Sequence, residues 1–430
     1  MKSNNRMKTL GGLVALLMTL APLAANAAQV QLEVALGNPV LLANEKQTTF
    51  VKVGLTGFAM QSNEDRPPVN VAIVLDRSGS MSGDKIERAK EAAKMAVDRL
   101  SPKDIVSIVT YDHTVNVLLP ATKVTDKGYI KNEISKIQPG GNTALFAGVS
   151  KGAGEVRKFL EDNRVNRVIL LSDGLANVGP SSPGELANLG ESLAKEGMAV
   201  TTIGLGLGFN EDLMTQLAFK SEGNHYFVAE EAELAKVFNT EFGDVLSVVA
   251  QDVVVDIDCR EGIRPIRILD REGNIDGQTV KVKLPQIYSN QQKYVLLEVE
   301  IPASEEGSTL PIANVSVSYN NMETKTSDDL SSSVSARFSG SRTVVKESVD
   351  KDVLVPAVRS IANIANEEAV RYRDEGKMEK AKEALISNQA YLQQQARELE
   401  APTLFDDADE NRQDAASLES GDWAMRRKVI

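Results

Sequence analysis

Residues 69–80 read VNVAIVLDRSGS. The run VNVAIVL has the length and β-branched content of a buried strand. It stops at Asp76-Arg77-Ser78-Gly79-Ser80, and a helical pattern begins a few residues later. Asp76, Ser78 and Ser80 therefore sit on a loop at a strand's carboxyl end, where open α/β sheets bind ligands.

Downstream the texture repeats. Strands DIVSIVTY, RVILLS and AVTTIGLG alternate with amphipathic helical stretches, the pattern of a wrapped parallel sheet. In the first helix Ile86, Ala89, Ala93, Ala96, Val97 and Leu100 share one face, while Lys85, Arg88, Glu91 and Asp98 point away from it. The fold expected over residues 66–249 is a doubly wound, mostly parallel α/β domain. Two more of its junctions offer oxygen donors, Gly140-Gly141-Asn142-Thr143 and Leu171-Ser172-Asp173-Gly174. Three loops can thus converge on one point. Helix caps would use the same residue types, and D-x-S-x-S by itself is an unspecific spacing.

Taken together, Asp76-Arg77-Ser78-Gly79-Ser80, Thr143 and Ser172-Asp173-Gly174 resemble the metal-ion-dependent adhesion site of the von Willebrand factor type A family, in the family's order. The resemblance covers about residues 69 to 249. It implies a divalent ion held by Asp76, Ser78, Ser80, Thr143 and Asp173, with Ser78, Ser80 and Thr143 bound directly and the two aspartates acting largely through water. Hard oxygen donors suit Mg2+, which takes six ligands and readily keeps an external oxygen; Mn2+ or Ca2+ are alternatives. An ion contacted mainly by neutral hydroxyls keeps its positive charge for a newcomer, so an Asp or Glu on a protein partner is the expected grip. Arg77, between the ligands, reads as an ordinary loop side chain outside the site. Gly79, Gly140 and Gly141 serve backbone geometry.

Around this domain the patterning changes. Gln29 to Ala35 and Thr48 to Gly57 alternate as half-buried strands do, and Pro67-Pro68 ends that texture. From about residue 250 to 345, QDVVVDID, PIRIL, QTVKVKL, KYVLLEVEI and ANVSVSY read as strands between turn residues. Residues 28–65 have too little core of their own, so they are expected to pair with residues 250–345 in an antiparallel β-sandwich, the α/β domain being inserted in it or flanked by it. Over residues 350–400 Met378, Ala381, Leu385, Asn388, Leu392, Gln395 and Leu399 are spaced three and four apart, and Gly376 separates this stretch from an earlier helix; a C-terminal helical hairpin follows. Residues 401–430, polar and acidic with FDDADENRQD, read as a flexible tail.

The first residues carry Lys2, Arg6 and Lys8, then an apolar run from Leu10 to Leu23, then Ala25-Asn26-Ala27. That is the layout of a secretory signal at residues 1–27 with cleavage expected after Ala27, so the body is expected in the periplasm or outside the cell, without stable membrane insertion. Cleavage would move the net charge from −12 to −15, which argues against nucleic acid as a partner. Cys259 is the only cysteine, so no intrachain disulfide forms and a buried, inert thiol is its expected role. His113 and His225 are the only histidines and make no H-E-x-x-H pair; no G-x-x-x-x-G-K-[ST] loop occurs; and Gly204-Leu205-Gly206-Leu207-Gly208 lacks the spacing of a dinucleotide fingerprint.

The order of segments resembles bacterial exported proteins similar to inter-alpha-trypsin-inhibitor heavy chains and to calcium-activated chloride channel regulators, though the regulators' protease motif is missing. The resemblance implies a non-enzymatic, metal-dependent adhesion-type binding module. The alternative is a non-catalytic subunit or assembly factor that docks a substrate protein to an enzyme in the cell envelope.

Overall fold

The computed structural model describes residues 29–60, 66–161, 163–269, 271–420 and 423–428. The expected signal segment, residues 1–27, lies outside them.

Three strands come first: β1 (Val30–Leu36), β2 (Val40–Leu42) and β3 (Gln47–Gly57). The α/β unit follows as β4 (Val69–Asp76), α1 (Asp84–Arg99), β5 (Ile105–Tyr111), β6 (Val115–Lys123), α2 (Lys127–Ser135), α3 (Leu145–Val156), β7 (Val165–Ser172), α4 (Pro183–Lys195), β8 (Ala199–Leu205), α5 (Glu211–Lys220), β9 (His225–Val228) and α6 (Leu234–Val245). Its sheet has the order β6-β5-β4-β7-β8-β9. All pairs are parallel except β5 with the edge strand β6. Every residue of β4, β5, β7 and β8 is buried, because helices cover both faces. Each wholly buried Val, Ile or Leu there contributes about 1.5–3 kcal/mol. Connections run from β4 to β5 on one side and on to β7 on the other, so the sheet's topological switch point lies at β4 and β7.

After α6 come β10 (Val248–Cys259), β11 (Arg264–Ile268), β12 (Asn274–Asp276), β13 (Thr279–Tyr288), β14 (Gln292–Ile301), β15 (Thr309–Asn321) and β16 (Ser327–Ser339). They form two packed sheets, β1-β3-β14-β11 and β12-β13-β10-β15-β16-β2. The N-terminal strands enter both: β3 lies antiparallel between β1 and β14, while β2 pairs parallel with β16. Residues 58–247 are thus threaded between two neighbouring parts of one sandwich. Val51, Val53, Leu55, Val253, Val255, Ile257, Val295 and Leu297 meet in its core. In strand β16, SDDLSSSVSARFS, the inward alternation of Leu330, Val334, Ala336 and Phe338 is interrupted by Ser332, and only Ala336 and Phe338 are fully buried.

The C-terminal part has α7 (Arg342–Glu347), α8 (Lys351–Asp374), α9 (Met378–Glu398), α10 (Thr403–Ser417) and α11 (Trp423–Arg426). Helices α8 and α9 form the hairpin, turning at Gly376 with φ of 75°. The expectation of a flexible tail from Pro402 is corrected here. Leu404, Ala408, Asn411 and Asp414 make a buried stripe on α10, and Leu404 and Ala408 join Leu392 and Ala396 of α9 and Leu399 just beyond it in one cluster. Of the acidic residues that suggested disorder, Asp406, Asp409 and Glu410 are exposed while Asp414 is buried in the stripe, and the small Ala408 hides the periodicity. Trp423 is buried with Leu385 and Leu418. Beyond it, Lys428 reaches the α/β unit, donating to Phe209 O at 2.9 Å and Glu211 Oε2 at 2.7 Å. Arg427 pairs with Asp212 at 2.9 Å and with Asp374 at 2.6 Å.

Candidate metal centre

Asp76 is the last residue of the central strand, wholly buried. Register sets Leu75 opposite Leu171, which brings Ser172 of β7 beside it: Ser172 Oγ donates to Asp76 Oδ2 at 2.7 Å. The Ser78 amide donates to Asp76 Oδ1 at 2.8 Å and fixes the turn. Burial pushes the Asp76 carboxyl up to about 6, the hydrogen bonds from Ser172 and Ser78 act in the opposite direction, and neighbouring Asp173 adds to the rise. A buried carboxylate so placed is favoured by a nearby cation.

Above Asp76 the other donors gather. Ser78 Oγ and Ser80 Oγ are 3.0 Å apart, and Ser80 Oγ donates to Asp173 Oδ1 at 2.6 Å. Asp173 follows β7 directly and is buried. Thr143 precedes α3, held by Asn177: the Thr143 amide donates to Asn177 Oδ1 at 2.9 Å and its carbonyl accepts from Asn177 N at 3.1 Å. A Cβ placed on Gly174 would lie 3.4 Å from Ser80 Oγ and 3.4 Å from Thr143 Oγ1, so both hydroxyls face the same small space. The structure therefore brings all five sequence-derived positions to one point. Ser78 makes no side-chain capping bond at the 3-10 turn it precedes, and α3 lacks a side-chain cap; the hydroxyls are not spent on helix ends.

The loops are sewn together by their backbones. The Gly140 amide donates to Arg77 O at 2.7 Å and the Gly79 amide to Gly141 O at 2.9 Å. Gly141 has φ of 85°, and a Cβ there would fall 2.3 Å from His113 Nδ1, so only glycine fits. Arg77 turns away from the cluster, onto Asp112 and Gln138 O. A Cβ on Gly208, in the loop after β8, would stand 2.7 Å from Asp173 O; this fourth loop presses on the site.

One residue escaped the sequence reading. Lys85, on the second position of α1, places Nζ 2.7 Å from Asp173 Oδ2. Helical periodicity sets Lys85 off the apolar face, but in the first turn a long side chain at the sheet's carboxyl edge can reach back to the loops. Among the described residues no group of three or more His, Cys, Asp and Glu side chains is placed to hold a metal. His225 is half-buried, pushed down to about 4 by burial and by Lys428 nearby, with Nδ1 2.8 Å from Thr202 Oγ1. Cys259 is buried and pushed up to about 11 by burial. Two carboxylates and three hydroxyls gathered on three loops, with Ser80 Oγ at hydrogen-bond distance from Ser78 Oγ and Asp173 Oδ1, form a hard-oxygen set that could hold a divalent cation.

Residues 70–240 match the family model of the von Willebrand factor type A domain, so this chain carries such a domain. A similar protein is YfbK of Escherichia coli, 29% identical over 215 residues, which are 50% of this chain and 37% of that one. Human inter-alpha-trypsin inhibitor heavy chain H2 is 28% identical over 175 residues, 39% of this chain and 18% of that one. The chain thus spans less than half the length of these curated relatives. Among solved structures, a von Willebrand factor type A protein from Catenulispora acidiphila superposes with a TM-score of 0.70 at 17% identity, over 88% of this chain and 90% of that one. That likeness, at its low identity, is one of fold and reaches well beyond the α/β unit.

Proposed function

We propose that this chain is an exported binding protein whose α/β domain uses a divalent cation, held by Asp76, Ser78, Ser80, Thr143 and Asp173, to take an acidic side chain of a protein partner. One observation carries the reading: three loops deliver these groups to one place, with Ser80 Oγ 3.0 Å from Ser78 Oγ and 2.6 Å from Asp173 Oδ1. Ser78, Ser80 and Thr143 supply neutral oxygens at the mouth, while Asp76 lies behind them and supplies charge from within. A bound Mg2+ would act as the Lewis acid that accepts the partner's carboxylate. Catalysis is no part of this reading. Export rests on the layout of residues 1–27; among the described residues no helix is long and apolar enough to cross a membrane.

The test is calorimetric titration of Mg2+ into residues 28–430 and into the Asp76→Ala variant, with circular dichroism to confirm that both are folded. Saturable binding in the first protein and its loss in the second is expected. Equal heats in the two would remove the five residues from metal binding.

A further inference from the structure

Resting on that metal assignment, we infer that Lys85 is a built-in competitor of the metal for Asp173, which holds the metal-free site together and weakens its affinity for cations. The Lys85 ammonium is 2.7 Å from Asp173 Oδ2, while Asp173 Oδ1 takes the Ser80 hydroxyl at 2.6 Å. Asp173 is thereby divided between the hydroxyl cluster and a cation of the protein's own. Its other neighbours do not supply that charge: Arg77, the second basic residue at this rim, is committed to Asp112.

The place of Lys85 limits its escape. Its side chain is only 28% exposed, and a Cβ on Gly206 would stand 3.9 Å from its Nζ. The ammonium therefore lies, partly exposed, between Asp173 and the loop after β8, whose Gly208 presses on the Asp173 carbonyl. When a divalent ion enters beside Ser78, Ser80 and Asp173 Oδ1, two outcomes are open. Either the ammonium stays within a few ångströms of a dication and opposes it, or it leaves and Asp173 loses its ion pair. Both lower the net affinity, because a partly buried charge pair is weakly screened by solvent. In the metal-free protein the same ammonium keeps two buried aspartates from facing each other uncompensated.

The experiment compares wild type, Lys85→Met, Lys85→Gln, Lys85→Arg and Asp76→Ala over residues 28–430, by calorimetric Mg2+ titration and by melting temperature with and without Mg2+. Lys85→Met is expected to bind Mg2+ at least tenfold more tightly than wild type, to melt lower without metal, and to gain more from metal. Lys85→Arg, which keeps the charge, should stay near wild type. Tightening seen in Lys85→Gln as well would assign the effect to charge rather than to the methionine. Binding by Lys85→Met alone, with none in wild type, supports the inference in its strongest form. Unchanged or weaker binding in folded Lys85→Met, beside normal binding in wild type, overturns it and leaves the metal reading intact. Binding that survives in Asp76→Ala, or is absent from every protein, overturns the metal reading and this inference with it.

Discussion

Arg167 offers the sharpest test of how the α/β unit is fixed to the sandwich. It lies in β7, wholly buried, and its Nη2 donates across the boundary to Gln286 Oε1 at 2.7 Å and to the Tyr288 hydroxyl at 3.0 Å, both on β13. Nη1 donates to Thr201 at 3.2 Å and stands 3.7 Å from Glu241 Oε1. Burial opposes the charge, but the Tyr288 hydroxyl and the Glu241 carboxylate hold the guanidinium's pKa above its ordinary value. Replacing Arg167 by Met keeps most of the volume and removes the cation. Glu241 then keeps neutral donors alone, among them the Thr201 hydroxyl at 2.5 Å and the Asn224 amide at 2.8 Å. Breaking a buried pair in this way costs about 3–5 kcal/mol, most of it the stranded charge. Arg167→Met with Glu241→Gln strands no charge and should therefore recover at least about half of the loss. The assay is urea unfolding followed by circular dichroism, with free energies from linear extrapolation. A loss below about 1 kcal/mol in the single variant, or a double variant less stable than the single, would refute the reasoning.

Three other outcomes are expected. Gly141→Ala forces a residue with φ of 85° and a Cβ 2.3 Å from His113 Nδ1, so it should cost about 1–3 kcal/mol in urea unfolding and weaken Mg2+ binding in calorimetry. His225 has its folded pKa lowered to about 4 against about 6.5 unfolded; the unfolded chain takes the proton first, so stability falls as pH drops from about 6.5 to 4, by up to about 3 kcal/mol. In His225→Gln that part of the pH dependence should be absent, which unfolding at pH 7 and pH 5 will show. Arg427→Ala with Lys428→Ala removes the ties to Glu211, Asp212 and Asp374. Hydrogen exchange should then speed up at least tenfold in residues 206–213, and unchanged protection would show that these ties do not hold the loop.

The α/β unit was open to reading because its strands announce themselves. VNVAIVL is buried on both faces and so carries no polar alternation to confuse it with the sandwich strands. The five oxygen donors were legible from spacing, since each falls where a loop leaves the carboxyl end of a strand or precedes a helix. Lys85 was not, because periodicity describes the face of a helix and says nothing of where a flexible side chain in its first turn returns. Helix α10 was hidden for a different reason: its buried stripe of Leu404, Ala408, Asn411 and Asp414 contains one large apolar residue. Composition alone reads such a segment as solvated, and the face it packs against is supplied by α9. Strand β16, whose inward alternation is broken by Ser332, is defined by β15, which pairs with it from Ser327 to Arg337.

The two chain crossings between sandwich and α/β unit lie side by side. Gly57, ending β3, is so near β10 that an added Cβ would meet Val249 Cγ2 at 2.8 Å, and the Ser289 amide donates to Ser247 O at 2.8 Å just beyond. To the sandwich, the whole of residues 58–247 behaves as a tight turn once it has folded, although as an unfolded loop it would impose a closure entropy that grows with the logarithm of its length. Folding of the α/β unit brings those two ends together. Strands β3 and β14 can then find their register across what has become a short gap.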